Sequence, residues 1–393
     1  MSPQPGLLRP LTILADDLSG SLDTAVKLLP HLFSRVYPRL GDCPDPWPDG
    51  VFVYNLDSRH HPVEASIKLT LKALSRLRPH SLYLKVDSTL RGNVGSTIET
   101  ILTHTAYQSA LVCPAFPDNR RTVVGGQLYV GDRPVEHSPV ASDPKNPMLT
   151  SSISTILHGQ SDLPTKKIRL DQVRRGSLRL EQSVPPMIYV VDAVTSEDLR
   201  RIAGLLQTRP DILPVGAAAL AEALFAPRSQ DFTQSPSPSI PKFRRIVAFV
   251  GSMHPQSQRQ RQSVARDPNW QVWTVNDGGE LPSTHPDYHL LVATPSLPQP
   301  GHEPHLATIA RTLGSRLGRP AQDNLWFATG GDTALALVLG LGLSWLSPVR
   351  ELAPGVVLSY GPAQGSHIWL VTKSGAFGAD TLLNDLARHF TAT

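Results

Sequence analysis

Three carboxylates lie within eight residues near the start of the chain, in the run Ala15-Asp16-Asp17-Leu18-Ser19-Gly20-Ser21-Leu22-Asp23. The run follows an apolar segment of strand length and precedes a segment with a helical pattern. In open parallel sheets, ligands bind just beyond the carboxyl ends of strands. Asp16 and Asp17 are therefore candidates to bind hydroxyl groups or a metal ion, and either is a candidate general base. The alternative is that Asp17 or Ser19 only caps the helix, which explains one acid but not the group.

A second polar run, Lys85–Gly95, has the sequence KVDSTLRGNVG and also lies between a predicted strand and a predicted helix. Lys85, Arg91 and the amides of its glycine-containing turn are suited to hold a carboxylate or a phosphate. The alternative is an ion pair between Asp87 and Arg91 that only fixes the loop before the next helix.

The strand and helix pattern breaks between Cys113 and Pro147, where the sequence is rich in Pro, Gly, Asp and Arg. A loop of this length is uncommon and often functional. Asn119, Arg120 and Arg121 are hydrogen-bond donors suited to an acidic sugar. We also predict a hairpin within this segment, around Gly131 and Asp132, and the alternative is that the whole loop has no function.

Glycine turns follow predicted strands at several places late in the chain, in Phe327–Ala334 (FATGGDTA) and Lys373–Gly378 (KSGAFG), with Gly251-Ser252 as a third. Glycines let the backbone approach a phosphate, and helix N-termini supply free amide groups. Several such turns in one domain predict a nucleotide pocket. The alternative is a tight turn in which Asp332 or Thr333 caps the next helix.

Several known signatures are absent from the sequence. It has no G-x-x-x-x-G-K-[ST] loop, no G-x-G-x-x-G run that opens a helix after a strand, and no G-x-S-x-G or protein-kinase motif. The pair His60-His61 lacks the spacing of a zinc site. Metal ligands therefore stay unassigned.

Apolar runs of strand length alternate with amphipathic helical segments, which predicts two α/β domains with mainly parallel sheets and a ligand cleft between them. The segment PRSQDFTQSPSPSIPK has the composition of a linker. We predict an N-terminal domain at 1–226, a Pro/Ser-rich linker at 227–242 and a C-terminal domain at 243–393. The predicted strands are Leu11–Ala15, Val51–Asn55, Leu82–Val86, Ala110–Cys113, Met187–Val191, Leu213–Gly216, Ile246–Val250, Gln271–Val275, Leu290–Ala293, Leu325–Ala328, Val356–Ser359 and Ile368–Val371. The predicted helices are Ser21–Leu29, Val63–Leu77, Gly95–Thr105, Ser196–Gln207, Ala217–Phe225, Glu303–Leu317, Asp332–Leu339 and Thr381–Phe390.

Composition narrows the possible partners. The 393 residues carry a formal net charge of +4 without a long Lys/Arg block, which argues against nucleic-acid binding and fits a positive field that attracts anionic substrates. The two cysteines, Cys43 and Cys113, fit a reducing compartment. No signal-peptide pattern and no apolar run of about 18 residues is present, so we expect a cytoplasmic protein without membrane partners. The oligomeric state is open, and a homo-oligomer is allowed.

In combination, these motifs resemble the four-carbon acid sugar kinases, which phosphorylate tetronates, oxo-tetronates and related acids with ATP. The family segment A-D-D-x-T-G-A-x-D corresponds to Ala15–Asp23, and K-x-D-S-T-L-R-G-N corresponds to Lys85–Asn93. Cys113–Thr122 matches C-P-A-F-P-x-N-x-R-T, and the late G-G-[DE]-T and K-S-G-x-F-G segments lie at Gly330–Thr333 and Lys373–Gly378. The motifs are long, occur in the family's order and extend through most of the chain.

The resemblance implies that the N-terminal domain binds the sugar acid and that the C-terminal domain binds ATP with Mg²⁺. The implied transfer passes a phosphoryl group directly from MgATP to a hydroxyl group of the acid. In this hypothesis Lys85 and Arg91 hold the carboxylate, and Asp16 or Asp17 orients or deprotonates the attacked hydroxyl. The implied acid-binding residues are Asp16, Asp17, Lys85, Asp87 and Arg91, with Asn119 and Arg120 added from the loop. The implied ATP contacts are Ser252, Gly330, Gly331, Asp332, Thr333 and Gly375.

The sequence departs from the family pattern at two places. Ser19 and Ser21 replace a threonine and an alanine, and Gly251-Ser252-Met253-His254 replaces G-S-C-S. The second change keeps open a non-catalytic sensor of sugar acids or nucleotides. A dehydrogenase in a similar cleft is a further alternative, and the missing dinucleotide fingerprint argues against it. The sequence leaves open the identity and stereochemistry of the acid, the hydroxyl that is phosphorylated and the catalytic base.

Overall fold

The computed structural model describes residues 11–29, 34–43, 50–77, 81–143, 145–178, 180, 186–225, 238–275, 285, 287–294, 303–317, 323–363 and 366–391. The chain divides into two compact units, residues 1–34 with 43–234 and residues 35–42 with 235–393. Most of the predicted linker lies outside the described residues, so its bounds stay a prediction. No helix of the described chain is long and apolar enough to cross a membrane.

Parallel pairing dominates the structure up to residue 225. The described strands there are β1 (Leu11–Ala15), β2 (Ser34–Tyr37), β3 (Val51–Asn55), β4 (Ser81–Lys85), β5 (Ser109–Cys113), β6 (Arg121–Val124), β7 (Gln127–Val130), β8 (Arg133–Pro134), β9 (Thr165–Ile168), β10 (Met187–Val191) and β11 (Ile212–Gly216). The helices are α1 (Leu18–Lys27), α2 (Val63–Leu77), α3 (Val94–His104), α4 (Ile153–His158), α5 (Leu170–Arg175), α6 (Ser196–Leu206) and α7 (Ala218–Phe225). Among described residues, an eight-stranded sheet runs in the order β2-β3-β1-β4-β11-β5-β10-β9.

The central strands of this sheet are mostly apolar and are buried along their whole length. Every residue of β1, β3, β4, β5 and β11 is buried, as expected where helices cover both faces of a parallel sheet. All predicted strands up to residue 225 are confirmed within one residue. The short elements β2, α4, β9 and α5 were not predicted.

The segment between β5 and α4 contains more regular structure than the sequence pattern predicts. Strands β6, β7 and β8 form a separate three-stranded antiparallel sheet. The predicted hairpin is confirmed, because β7 and β8 pair around Gly131 and Asp132. The expectation of a long irregular loop was wrong here, since a small sheet carries the arginine-rich part of the segment.

The second unit contains its own mainly parallel sheet. Its described strands are β12 (Arg245–Val250), β13 (Trp270–Thr274), β14 (His289–Ala293), β15 (Asn324–Thr329), β16 (Ser347–Ala353), β17 (Val356–Ala363) and β18 (Ser366–Lys373). Its described helices are α8 (Pro255–Val264), α9 (Glu303–Leu317), α10 (Gly331–Gly340) and α11 (Leu382–Phe390). Within the part of the chain that the structure describes, the order is β13-β14-β12-β15-β18-β17-β16. Only β17 runs opposite to the other strands, so it pairs antiparallel with both β16 and β18. The α/β class and the mainly parallel sheets are confirmed.

Candidate active site

Strand register in the first unit places the two main polar runs side by side. Ala15, the last residue of β1, pairs with Asn55 of β3 on one side and with Lys85 of β4 on the other. The three strands therefore end level with one another, and the residues that follow them share one edge of the sheet. This edge is where parallel α/β sheets bind ligands.

Asp17 caps helix α1. Its backbone is extended, at φ −147° and ψ 160°, and its Oδ1 accepts a hydrogen bond of 2.9 Å from the amide of Gly20. The helix therefore begins at Leu18, whereas the sequence pattern predicts a start near Ser21. The capping alternative is confirmed for Asp17. Helix capping does not account for Asp16, which precedes the cap.

Arg59 holds both aspartates. Its Nε lies 2.7 Å from Asp16 Oδ2, and its Nη2 lies 2.8 Å from Asp16 Oδ1 and 2.8 Å from Asp17 Oδ1. Burial alone would lower the pKa of the Arg59 guanidinium, but Asp16, Asp17 and Asp87 raise it well above its ordinary value. The bidentate contact between Arg59 and Asp16 fixes the plane of the Asp16 carboxylate.

Arg91 makes a second ion-pair group. Its Nε and Nη2 contact Asp87 at 2.8 and 2.9 Å, and its Nη1 lies 2.7 Å from Asp143 Oδ2. Burial would raise the pKa of Asp87, but Arg91, Arg59 and a hydrogen bond from Thr89 hold it well below its ordinary value. The alternative of an ion pair between Asp87 and Arg91 is confirmed, and Arg91 already has two carboxylate partners.

Lys85 lies against the start of α1 and is almost fully buried, at 4% exposure. A Cβ placed on Gly20 would come within 2.6 Å of both Lys85 Nζ and Asp17 Oδ1, so a larger residue there would displace these two side chains. Beside Lys85, a cavity of about 10 Å³ is lined by residues that include Asp16, Ser58 and Asn93. That volume holds about one water molecule and is too small for a sugar acid.

The Arg59 contacts predict a stability effect that is local to the first unit. Arg59→Met leaves two buried carboxylates without their cation, which costs about 3 kcal/mol. Hydrogen exchange measured by mass spectrometry is expected to show that free-energy loss for peptides of β1 and β3. Peptides of β12 and β15 serve as the internal control.

The control variant for Arg59 is Arg200→Met, which removes an ion pair with Glu197 whose side chains are 59% and 52% exposed. Exposed pairs contribute at most about 1 kcal/mol. Equal protection in the Arg59 and Arg200 variants would show that Arg59 does not hold the two aspartates.

Asn119, Arg120 and Arg121 line an open pocket of about 270 Å³, which Gly131 and Arg133 also border. Arg120 has a left-handed backbone at φ 54° and lies 3.4 Å from Asp132, with both side chains exposed. Burial lowers the pKa of Arg121, with Asp87 opposing that effect and Arg91 and Arg120 adding to it. Arg121 donates 2.6 Å to the carbonyl of Asn119, and no ion pair to it exists among the described residues.

Two unsatisfied donors distinguish this pocket from an ordinary surface depression. The side-chain amide of Asn119 and the Nε of Arg121 are buried, and neither has a hydrogen-bond partner in the described part of the chain. Buried donors normally have partners, so both groups are able to donate to an acceptor atom of a bound ligand or of water.

Sequence reasoning missed Arg59, and it named Arg121 only as one of three possible donors in the loop. The available signal for Arg59 was its place: it follows β3 in the run Asn55-Leu56-Asp57-Ser58-Arg59, at the same strand edge as the aspartates. A lone basic residue in a loop has no distinctive spacing, and only the strand order places it beside Asp16.

In the second unit, register again aligns the ends of neighbouring strands. Val250 of β12 pairs with Thr329 of β15, and Thr329 pairs with Lys373 of β18. The three predicted glycine turns therefore begin at one edge of this sheet. We call them the glycine-turn cluster, which comprises Gly251-Ser252, Gly330–Thr333 and Ser374–Gly378.

The three turns approach each other closely. A Cβ on Gly251 would lie 2.2 Å from Thr333 Oγ1, and a Cβ on Gly375 would lie 2.1 Å from Ser252 Oγ. The cap of α10 is Gly330, at φ 93° and without a side-chain hydrogen bond. The alternative in which Asp332 or Thr333 caps that helix was therefore wrong, and glycine is needed for the positive φ.

The glycine-turn cluster contains backbone amide groups without partners. The N–H groups of Gly375 and Ala376 have no hydrogen-bond partner among the described residues, and the first amides of a helix such as α10 have none within the helix. Such donors fit the phosphates of ATP. No group of three His, Cys, Asp or Glu side chains suited to a metal occurs in the described chain.

Comparisons with known proteins show which family the chain resembles. A family model described as a sugar-binding N-terminal domain matches residues 11–224, and one described as a nucleotide-binding C-terminal domain matches residues 296–383. A D-threonate kinase of Bordetella bronchiseptica is 31% identical over 94% of this chain and 95% of its own. A D-threonate kinase of Salmonella typhimurium is 29% identical, and a 3-oxo-tetronate kinase of Cupriavidus necator is 27% identical, each over at least 95% of both chains.

The chain therefore belongs to the four-carbon acid sugar kinase family, as its motifs predict. Solved structures support the fold. A protein of Salmonella typhimurium LT2 superposes with a TM-score of 0.76 at 20% identity, over 97% of this chain and 99% of its own. A Haemophilus influenzae protein gives a TM-score of 0.69 at 20% identity, over 95% and 98% of the two chains.

Proposed function

We propose that this chain transfers the γ-phosphoryl group of ATP to a hydroxyl group of a four-carbon sugar acid. The observation that carries the proposal is that one chain holds two separate constellations. The first unit carries an arginine and carboxylate group at the strand ends, and the second carries a cluster of glycine turns with free amide donors. Each fits one of the two substrates of such a kinase.

Asp16 is the better of the two candidates to orient the attacked hydroxyl. Asp17 Oδ1 already accepts hydrogen bonds from Gly20 and Arg59, and its role as a cap fixes it in α1. Among the described residues, only Arg59 donates hydrogen bonds to the Asp16 side chain, and Asp16 lines the small cavity beside Lys85. In a loose phosphoryl-transfer transition state, orientation of the hydroxyl matters more than early removal of its proton.

The carboxylate of the acid needs a cation that is not already neutralised. Arg59 and Arg91 both have two aspartate partners, so their charges are largely compensated. We assign the carboxylate to the pocket of Asn119, Arg120 and Arg121, with Arg121 as its main cation. In this assignment Lys85, Asp87 and Arg91 shape the acid site and hold its hydroxyl groups.

The carboxylate assignment predicts a selective change in affinity for the acid. Arg121→Gln is expected to raise the KM for the acid about tenfold, because it removes a charged hydrogen-bond donor. The Kd for ATP should stay unchanged. Steady-state kinetics with the acid varied and calorimetric titration with ATP measure the two effects, with Arg200→Gln as the surface control. An unchanged KM would exclude Arg121 as the carboxylate's cation.

On the nucleotide side, Ser252, Gly330, Gly331, Thr333 and Gly375 would surround the phosphates. Asp332 would offer a carboxylate oxygen to Mg²⁺, which neutralises charge on the phosphates when it is bound. Transfer requires that acid and nucleotide meet with water excluded, since water would otherwise accept the phosphoryl group.

A coupled assay of ADP formation tests this function. Purified protein is incubated with ATP, Mg²⁺ and each of D-threonate, L-threonate, D-erythronate, L-erythronate and the 3-oxo-tetronates. D-Threonate is our first candidate, since three D-threonate kinases are 29–31% identical to this chain, whereas a 3-oxo-tetronate kinase and a D-erythronate kinase are each 27% identical. Formation of ADP that depends on one acid supports the kinase. Binding of acid and ATP with no turnover for any acid would favour the sensor that the Gly251–His254 departure keeps open. We expect the reaction in the cytoplasm, and the free buried thiols of Cys43 and Cys113 fit that expectation.

A further inference from the structure

Lys373 is a buried lysine beside the glycine-turn cluster, and it is not among the residues assigned above to the proposed reaction. It is the last residue of β18 and is 1% exposed. Its Nζ donates to the carbonyls of Ser374 and Gly375 at 3.1 and 3.0 Å and to Ser257 Oγ at 3.2 Å. These three acceptors are neutral, so dipoles alone solvate the ammonium group.

The contacts of Lys373 lie on the carbonyl side of the turn that begins with Ser374. Ser257 Oγ reinforces them by donating 2.9 Å to the carbonyl of Gly375. Gln260 of the same helix, α8, donates to the carbonyls of Phe377 and Ala379 at 3.0 and 2.9 Å. With its carbonyls held from one side, the turn leaves the amides of Gly375 and Ala376 available for an anion.

No carboxylate neutralises Lys373 in the described part of the chain. The charged or titratable groups on the elements around it are His254, Arg259 and Arg261 of α8 and its cap, Asp332 of α10, Tyr360 of β17, His367 of β18 itself, and Asp380 after the turn. Arg259 pairs with Asp380 at 3.0 Å, and Arg261 donates to Thr294 and Thr274. Strands β15 and β17, which flank β18, carry no charged residues. Burial is the cause that lowers the pKa of Lys373, to about 7.

We propose that Lys373 is the buried counter-charge of the nucleotide phosphates, and that nucleotide binding is coupled to the uptake of one proton by its side chain. The inference rests on the proposed function, since it takes the glycine-turn cluster as the phosphate site. An anion at the amides of Gly375 and Ala376 stabilises the charged ammonium through the turn that Lys373 itself holds. Lys373 is therefore a positioning residue that also sets the charge of the site.

Thermodynamic linkage between proton uptake and nucleotide binding determines how the affinity for the nucleotide changes with pH. In the free protein the side chain loses its proton as the pH rises through about 7. In the complex the phosphates raise its pKa, so the bound state holds more protons than the free state above pH 7. Affinity must then fall with rising pH, by at most about tenfold per pH unit for one proton.

Calorimetric titration with MgADP at pH 7.0, 8.0 and 9.0 tests the proposal, because the phosphates of ADP are already ionised in this range. Titrations at pH 8.0 in two buffers of different ionisation enthalpy count the protons taken up. We expect uptake approaching one proton and a Kd that rises by up to about tenfold per pH unit. Lys373→Met should bind more weakly, with no uptake and no pH dependence, whereas His254→Gln should retain the uptake.

The wild-type titration decides the matter even if Lys373→Met does not fold. MgADP binding with no proton uptake and a constant Kd would overturn the role of Lys373 and leave the kinase function standing. Uptake that persists in a folded Lys373→Met protein would also overturn it. Absence of MgADP binding at every pH would instead overturn the nucleotide site, and this inference with it.

Discussion

Asp16→Asn is expected to lower kcat by roughly 10²- to 10⁴-fold, the range of a positioned acid or base group, with the Kd for ATP unchanged. The substitution keeps the size of the side chain, and its carbonyl oxygen can still accept one hydrogen bond from Arg59. What it removes is the negative charge and the second acceptor, which together fix and polarise the attacked hydroxyl. Steady-state kinetics with the preferred acid and titration with ATP measure the two quantities.

Asp17→Asn is the matched control for Asp16. Asparagine caps helices about as well as aspartate does, so α1 should remain intact. If Asp16 is the group that contacts the substrate, Asp17→Asn retains much more activity than Asp16→Asn. Wild-type kcat in Asp16→Asn would exclude Asp16 from the chemistry, and a larger loss in Asp17→Asn would reverse the assignment of the two residues.

Gly375→Val is expected to weaken ATP binding by about 100-fold or more, the equivalent of roughly 3 kcal/mol of overpacking. A Cβ at this position would lie 2.1 Å from Ser252 Oγ and 3.1 Å from the Cβ atoms of Ser252 and His254. Rotation of the serine relieves the first contact, but the other two require the backbone to move. That movement separates the turns whose amides are to hold the phosphates.

The control for Gly375 is Gly204→Val in α6, where a Cβ meets nothing within 4 Å. This variant should bind ATP as the wild type does. Hydrogen exchange can confirm that β12, β15 and β18 stay protected in Gly375→Val. Normal ATP affinity in a folded Gly375→Val protein would place the nucleotide away from the glycine-turn cluster.

Buried strands were the most predictable part of this fold. Runs such as Leu11–Ala15 and Val51–Asn55 are mostly apolar and fully buried because both faces of the sheet are covered, and their observed bounds equal the predicted ones. Helices with a clear apolar stripe, such as Val63–Leu77, were predicted equally well. In each case the order of apolar and polar residues along the sequence matches the pattern of buried and exposed positions.

Helix α8 was missed for a physical reason. Its sequence, PQSQRQRQSV, has one strongly apolar residue, Val264, and its buried face is otherwise Ser257 and Gln260. These polar side chains are buried because they bind the backbone of the turn after β18. Hydrophobic periodicity cannot reveal a helix whose inner face serves a polar turn.

The candidate site divides in the same way. Motif order located Asp16, Asp17 and the glycine turns, because several residues of defined spacing point to them. The assignment of Arg59 to the site and the role of Lys373 could not be predicted in this way. Both are inferred from which strands are neighbours and from which donors already have partners. Those facts appear only when β3 is placed beside β1 and β18 beside β15.

Direct detection of the product tests the central claim most simply. The protein is incubated with ATP, Mg²⁺ and D-threonate, then with the other tetronates, and the acid is analysed by mass spectrometry while ADP is measured in parallel. We predict that one acid gains a single phosphoryl group in a 1:1 ratio to the ADP formed. ADP release that does not depend on any acid, or bound acid and ATP without product, would contradict the account.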